Sequence, residues 1–96
     1  MKRPTSEQIK EFWKWCGFKK VKHGKWQGWE WPDLGATSEL PPIDLDNLFE
    51  HAVPKLDSFS LGERRYILLK WIEDVVSNKS DPALALFWAI WEVIKQ

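Results

Sequence analysis

The apolar positions of this chain repeat first with a helical period, then alternate like a strand, then return to a helical period. Ile9, Phe12, Trp13 and Cys16 fall at i, i+3, i+4 and i+7, which places them on one face of a helix. Thr5, with Gln8 three residues on, forms a capping box ahead of that stripe. Gly17 then supplies a left-handed stop, and Phe18 is placed to fold back on the last turn. Together these predict a helix over 5–16, with Trp15 off its buried stripe.

Residues 18–31 change character. FKKVK and KWQGWEW flank His23-Gly24, so the segment reads as a β-hairpin whose valine and tryptophans suit a pleated surface. Side chains alternate along a strand, so Trp29 and Trp31 point one way and Trp26 the other. A bulge at Gly28 would instead gather all three indoles on one face. Pro32-Asp33-Leu34-Gly35 breaks the strand, and a polar surface loop is expected to run on to Pro41-Pro42.

Asp44 caps a second predicted helix, 44–54, whose inner face is Leu45, Leu48, Phe49, Ala52 and Val53. Pro54 removes a backbone donor, so that helix ends or kinks there. Ser60 and Glu63 make another capping box and open a helix over 60–77. Its apolar residues, Tyr66 to Leu69 with Trp71, Ile72, Val75 and Val76, cover too wide an arc for a single neighbour, and Asn78 is suited to close it in the left-handed conformation. Asp81-Pro82 starts a last helix, 82–95, which is apolar nearly all round and is therefore expected at the centre. The fold class is α+β and mainly helical: about four helices plus one hairpin, in a single domain over 1–96.

Composition changes this picture in one respect. Among 96 residues there are eight tryptophans, and each indole carries roughly 150–250 Å² that favours burial. So small a core does not easily hide all eight. Trp13, Trp71, Trp88 and Trp91 sit at helical core spacing and are expected inside. Charge is neutral overall but uneven. Residues 1–28 hold eight Lys/Arg against two acidic side chains, and the remainder holds six against twelve. That asymmetry fits a nucleic-acid-facing end, but attraction between the two halves, within the fold or across a dimer, is the favoured account.

Catalytic and metal chemistry find little support. Cys16, His23 and His51 are isolated from one another in sequence, so no zinc-ligand spacing is present. Cys16 lies on a buried stripe and reads as a small core hydrophobe. Asp44-Leu45-Asp46-Asn47 starts like a calcium loop, but Leu48 and Phe49 occupy the next ligand and glycine positions. No catalytic residue, metal site or cofactor is predicted, and the expected function is not enzymatic. One cysteine, no apolar leader at the N-terminus and no membrane-length apolar run together predict a cytoplasmic protein.

Binding is the remaining class. Lys20, Lys22 and Lys25 share the hairpin with Trp26, Trp29 and Trp31. Excess aromatic surface in polar surroundings is how an interface core looks before its partner arrives. The expected partner is another protein, with self-association included. The alternative is single-stranded nucleic acid, whose phosphates would take the lysines and whose bases would stack on the indoles.

Two segments, LPPIDLDNLFEHAVPKL (40–56) and DPALALFWAIWEVI (81–94), resemble a group of small phage and mobile-element proteins related to the phage ABA-sandwich domain. IKEFWKWCGF followed by WEWPDL looks like the same group. The resemblance implies strands between the two helical motifs, an α/β/α layering, and an accessory role in a mobile element. It carries no chemistry. The residues of 57–79 instead show a helical period.

Overall fold

The computed structural model describes residues 1–32 and 35–96, so Asp33 and Leu34 of the predicted strand break lie outside the described residues. Among them the chain is α+β and mainly helical, with a three-stranded antiparallel sheet. It packs as two compact units, Pro4–Pro42 and Met1–Arg3 with Ile43–Gln96. No helix is long and apolar enough to cross a membrane among the described residues.

In the Pro4–Pro42 unit, α1 (Ser6–Trp15) begins with the capping box on Thr5 and Gln8. Its end is a Schellman motif. Gly17 takes φ +112°, its N–H donates to the Lys14 carbonyl at 3.0 Å, and the Phe18 N–H donates to Trp13 at 3.1 Å. That turn returns Phe18 onto Trp13, with ring centroids 5.3 Å apart. Phe12, Trp13, Cys16, Phe18 and Trp29 are buried. The Trp13 indole N–H donates to the Pro41 carbonyl at 3.0 Å, which ties the end of this unit to the last turn of its helix.

The sheet order is β1 (Lys19–His23), β2 (Trp26–Trp31), β3 (Gly35–Thr37). β3 corrects the expectation of an uninterrupted polar loop over 32–42. Trp29, Glu30 and Trp31 pair with Thr37, Ala36 and Gly35, so the second edge of β2 is satisfied by the chain's own return. No local pattern in GAT marks it as a strand; the free edge of β2 does.

In the other unit, α2 (Leu45–Asn47) is capped by Asp44, whose carboxylate accepts from the Asn47 N–H at 2.8 Å. The helix predicted over 44–54 then changes form. A π turn covers Leu48–Ala52, with the Val53 N–H reaching back five residues to Leu48, and a 3-10 helix covers Val53–Ser58. Pro54 has no N–H, and its ring collides with the carbonyl four residues back in a regular α-helix. The widened turn just before it relieves that collision. Leu48, His51 and Ala52 remain buried.

α3 (Leu61–Val76) opens on the Ser60–Glu63 capping box, so 57–79 contain no strand. Closure falls to Lys79, at φ +55°, and not to Asn78. The Asn78 amide is committed to Asp74 Oδ1 at 3.0 Å, and the Ser80 N–H donates to the Asp74 carbonyl. α4 (Pro82–Ile94) is capped by Asp81, which accepts from both Ala83 and Leu84 N–H groups at 3.0 Å. Ala85, Leu86, Phe87, Ala89, Ile90 and Val93 are buried, so α4 forms the core of this unit. Trp71, Trp88 and Trp91, expected inside, are only half-buried. Trp71 and Trp88 keep their indole N–H groups on the Pro82 and Lys2 carbonyls at 2.9 and 2.7 Å, an arrangement that suits a side chain with one polar edge.

α3 and α4 are also joined by the Tyr66 hydroxyl, which donates to Glu92 Oε2 at 2.8 Å. That hydrogen bond to a carboxylate, with some desolvation and the Glu92 charge adding to it, raises the phenol above its ordinary 10.0. A raised folded-state value means the bond's contribution is present below pH 10 and lost as pH climbs through the folded value. The expected result is a tyrosinate absorbance midpoint above that of free tyrosine, returning toward it in Glu92→Gln. Tyr66 is the single tyrosine, so the signal is unambiguous.

Candidate binding surface

The hairpin is built from its turn outward. His23 pairs with Trp26 around the two-residue loop Gly24-Lys25. Gly24 has φ +62° while Lys25 stays at negative φ, the type II′ pattern whose twist matches antiparallel strands. The turn thus lies one residue later than His23-Gly24. From it the register runs without interruption: Lys22 opposite Gln27, Val21 opposite Gly28, Lys20 opposite Trp29, Lys19 opposite Glu30. Gly28 is therefore not a bulge.

A continuous register sorts the side chains onto two faces. Lys20, Lys22, Trp29 and Trp31 share one. There Trp29 is 7% exposed, and the ammonium groups of Lys14 and Lys20 lie over its ring at 6.0 and 5.9 Å from the centroid. Trp31, half-buried, meets Phe18 edge-on at 5.1 Å. These two indoles face inward, toward α1 and the Phe18 turn. The opposite face carries Lys19, Val21, His23, Trp26 and Glu30. Trp26 is 39% exposed and stacks on His23, with centroids 5.9 Å apart and planes 22° apart.

Gly28 seats that indole. A Cβ there would stand 2.4 Å from the Thr37 carbonyl oxygen and 2.5 Å from the Trp26 ring. Both distances are far inside contact, and one of the atoms is backbone. Only glycine lets Trp26 fold down over β2 while β3 approaches from beside it.

Of the six residues singled out in the sequence, the structure therefore brings Lys20 onto Trp29 and leaves Lys22, Lys25 and Trp26 exposed around the tip. Every residue from 22 to 27 is exposed. The tip combines one indole, one imidazole and the ammonium groups of Lys22 and Lys25. β1 is also an edge strand, and lysines on an edge discourage pairing with other chains. Edge protection accounts for Lys19, Lys20 and Lys22 but not for an exposed Trp26.

A second exposed feature has a fainter sequence signal. On α3, Leu61, Leu68, Leu69, Ile72 and Val76 are 57%, 54%, 68%, 48% and 64% exposed. The excess width of that helix's apolar arc was legible; which part of it stays uncovered was not. Beside it, Phe49, Val53, Leu56, Ile67, Leu68 and Leu86 line an apolar cleft of about 130 Å³.

Among the described residues, no group of three or more His, Cys, Asp and Glu side chains is placed to hold a metal ion. Cys16 is buried in the Pro4–Pro42 unit. His51, buried in the other, has Nε2 3.8 Å from the carboxylate of its sequence neighbour Glu50. No family model, no curated protein and no solved structure matches this chain.

Proposed function

We propose that this is a non-catalytic binding protein, of the accessory type that the 40–56 and 81–94 motifs resemble, which docks an acidic protein surface through its hairpin tip. The observation that carries this reading is Trp26, an indole kept partly exposed and stacked on His23 at a hairpin tip where Lys22 and Lys25 are exposed as well. Tryptophan is enriched among the residues that dominate interface energetics. Flanking cations speed and orient encounter with a negatively charged partner.

The second reading is single-stranded nucleic acid on the same tip. The stacked Trp26–His23 pair supports it, because flat rings beside lysines suit bases and phosphates. Titration with a mixed-sequence single-stranded oligonucleotide at low and moderate salt separates the two. Phosphate contacts weaken steeply with added salt. Absence of binding at low salt removes the nucleic-acid reading.

For the protein reading, immobilised wild type and the Lys22→Glu, Lys25→Glu and Trp26→Ala variants are compared for retained proteins from the native host. The charge reversals leave the core untouched. A component held by wild type and lost from all three variants is the expected result. Equal capture by wild type and variants would exclude the tip as the docking surface.

A further inference from the structure

α3 presents two apolar faces. Ile67 and Asp74, 2% and 5% exposed, lie on the side covered by its own unit. At about 100° per residue, Leu61, Leu68, Leu69, Ile72 and Val76 form a stripe about 100° wide on roughly the opposite side. All five are about half exposed or more. Single apolar residues on a surface need no explanation, but a continuous helical stripe does.

The charges in and beside that stripe say what covers it: Arg65 lies within it, and Arg64 and Glu73 flank its two edges. Arg64 and Arg65 lie toward the N-terminal end of α3, and Glu73 lies toward the C-terminal end; all three are exposed. A parallel copy would set arginine against arginine and glutamate against glutamate. An antiparallel copy does the reverse. With the two-fold axis at Leu69, the helix register places Arg65 beside Glu73 of the second copy and Gly62 beside Val76. Leu69 then meets its own counterpart, and Leu61 closes over the Val76 end. One surface is complementary to itself, which a closed two-fold dimer requires. Antiparallel helix dipoles add to the preference.

We propose that the outer face of α3 is a self-association surface, on which a second copy of this chain lies antiparallel about Leu69. The Arg65–Glu73 contacts occur twice by symmetry and set the orientation. The seam is one helix about 24 Å long, small beside the roughly 800 Å² per partner of a stable interface. Monomer and dimer therefore exchange with concentration. The surface is independent of the hairpin tip, so failure of either proposal leaves the other standing.

Sedimentation or light scattering across a wide concentration range tests it. Wild type should pass from monomer to dimer. Leu69→Glu, at a position already 68% exposed, should stay monomeric with an unchanged circular dichroism spectrum. Arg65→Glu and Glu73→Arg should each weaken the dimer by about tenfold, since each converts two attractive contacts into repulsive ones. The double variant Arg65→Glu with Glu73→Arg should recover most of that loss. A strict monomer throughout the range, or a dimer that survives Leu69→Glu, overturns the surface. A double variant no tighter than the single ones overturns the antiparallel arrangement.

Discussion

Replacing Trp13 with alanine should cost the Pro4–Pro42 unit about 4 kcal/mol, the range seen when a fully buried large aromatic is deleted from a core. Trp13 is 0% exposed and packs against Phe12 and Phe18, both at 5.3 Å between centroids. Its indole N–H also satisfies the carbonyl of buried Pro41 at 3.0 Å. Alanine removes the ring from between its neighbours and strands an acceptor. Trp13→Phe separates the two contributions, because it keeps most of the apolar volume and loses the donor. It should cost about 1–3 kcal/mol, the penalty for an unsatisfied buried acceptor. Urea unfolding followed by circular dichroism and tryptophan fluorescence gives both values. If Trp13→Ala stayed within about 1 kcal/mol of wild type, this unit would not be organised around that ring.

Gly28→Ala should be the most damaging single-methyl change in the sheet. The added Cβ would stand 2.4 Å from a backbone carbonyl oxygen of β3 and 2.5 Å from the Trp26 ring. A flexible side chain tip yields cheaply; a carbonyl held in a ladder does not. The expected cost is about 1–3 kcal/mol, as for forced overpacking, with β3 detached and Trp26 displaced from the tip. Amide exchange at Trp29, Trp31 and Thr37 should quicken, and capture through the tip should fall in parallel. Gly62→Ala provides the contrast. It lies in the first turn of α3, where no atom comes closer than 4.0 Å to an added Cβ, so it should be neutral or slightly stabilising. Similar stability for wild type and Gly28→Ala would show that the close approach of β3 is not a constraint.

Alternation along WQGWEW divides Trp26 from Trp29 and Trp31, and that division is what the structure has. Which face is covered does not follow from alternation. It follows from the turn at Gly17, which brings Phe18 against Trp31, and from α1, which puts Lys14 over Trp29. The same limit applies to the candidate site. Lys20, Lys22, Lys25 and the three indoles were legible as one lysine- and tryptophan-bearing hairpin, but which side is covered was not: α1 and the Gly17 turn assign Trp29 and Trp31 inward and leave Trp26 exposed. His23 as the stacking partner of Trp26 depended on the loop being Gly24-Lys25, one residue from the turn expected.

Helix 44–54 illustrates a different failure. Asp44 and Pro54 marked the start and the disturbance correctly. A lone proline does not specify whether the backbone stops, kinks or widens into a π turn. Leu48 and Ala52 stay buried across that turn, and keeping them there selects the outcome.

What the sequence by itself determined was a set of features fixed within about four residues along the chain. The capping boxes at Thr5 and Ser60, the Gly17 stop, the Asp81-Pro82 start and the alternation of β2 are all of this kind. Their energetics are backbone hydrogen bonds between near neighbours, so residue order alone encodes them. Tertiary structure decided the rest: β3 on the open edge of β2, the inward turn of Trp29, the half-burial of Trp71, Trp88 and Trp91, and the uncovered outer face of α3. In each case the deciding quantity is how much apolar or hydrogen-bonding surface a distant segment covers. An apolar residue carries the tendency to be buried, and only the packed neighbours determine whether that tendency is met within one chain or across two.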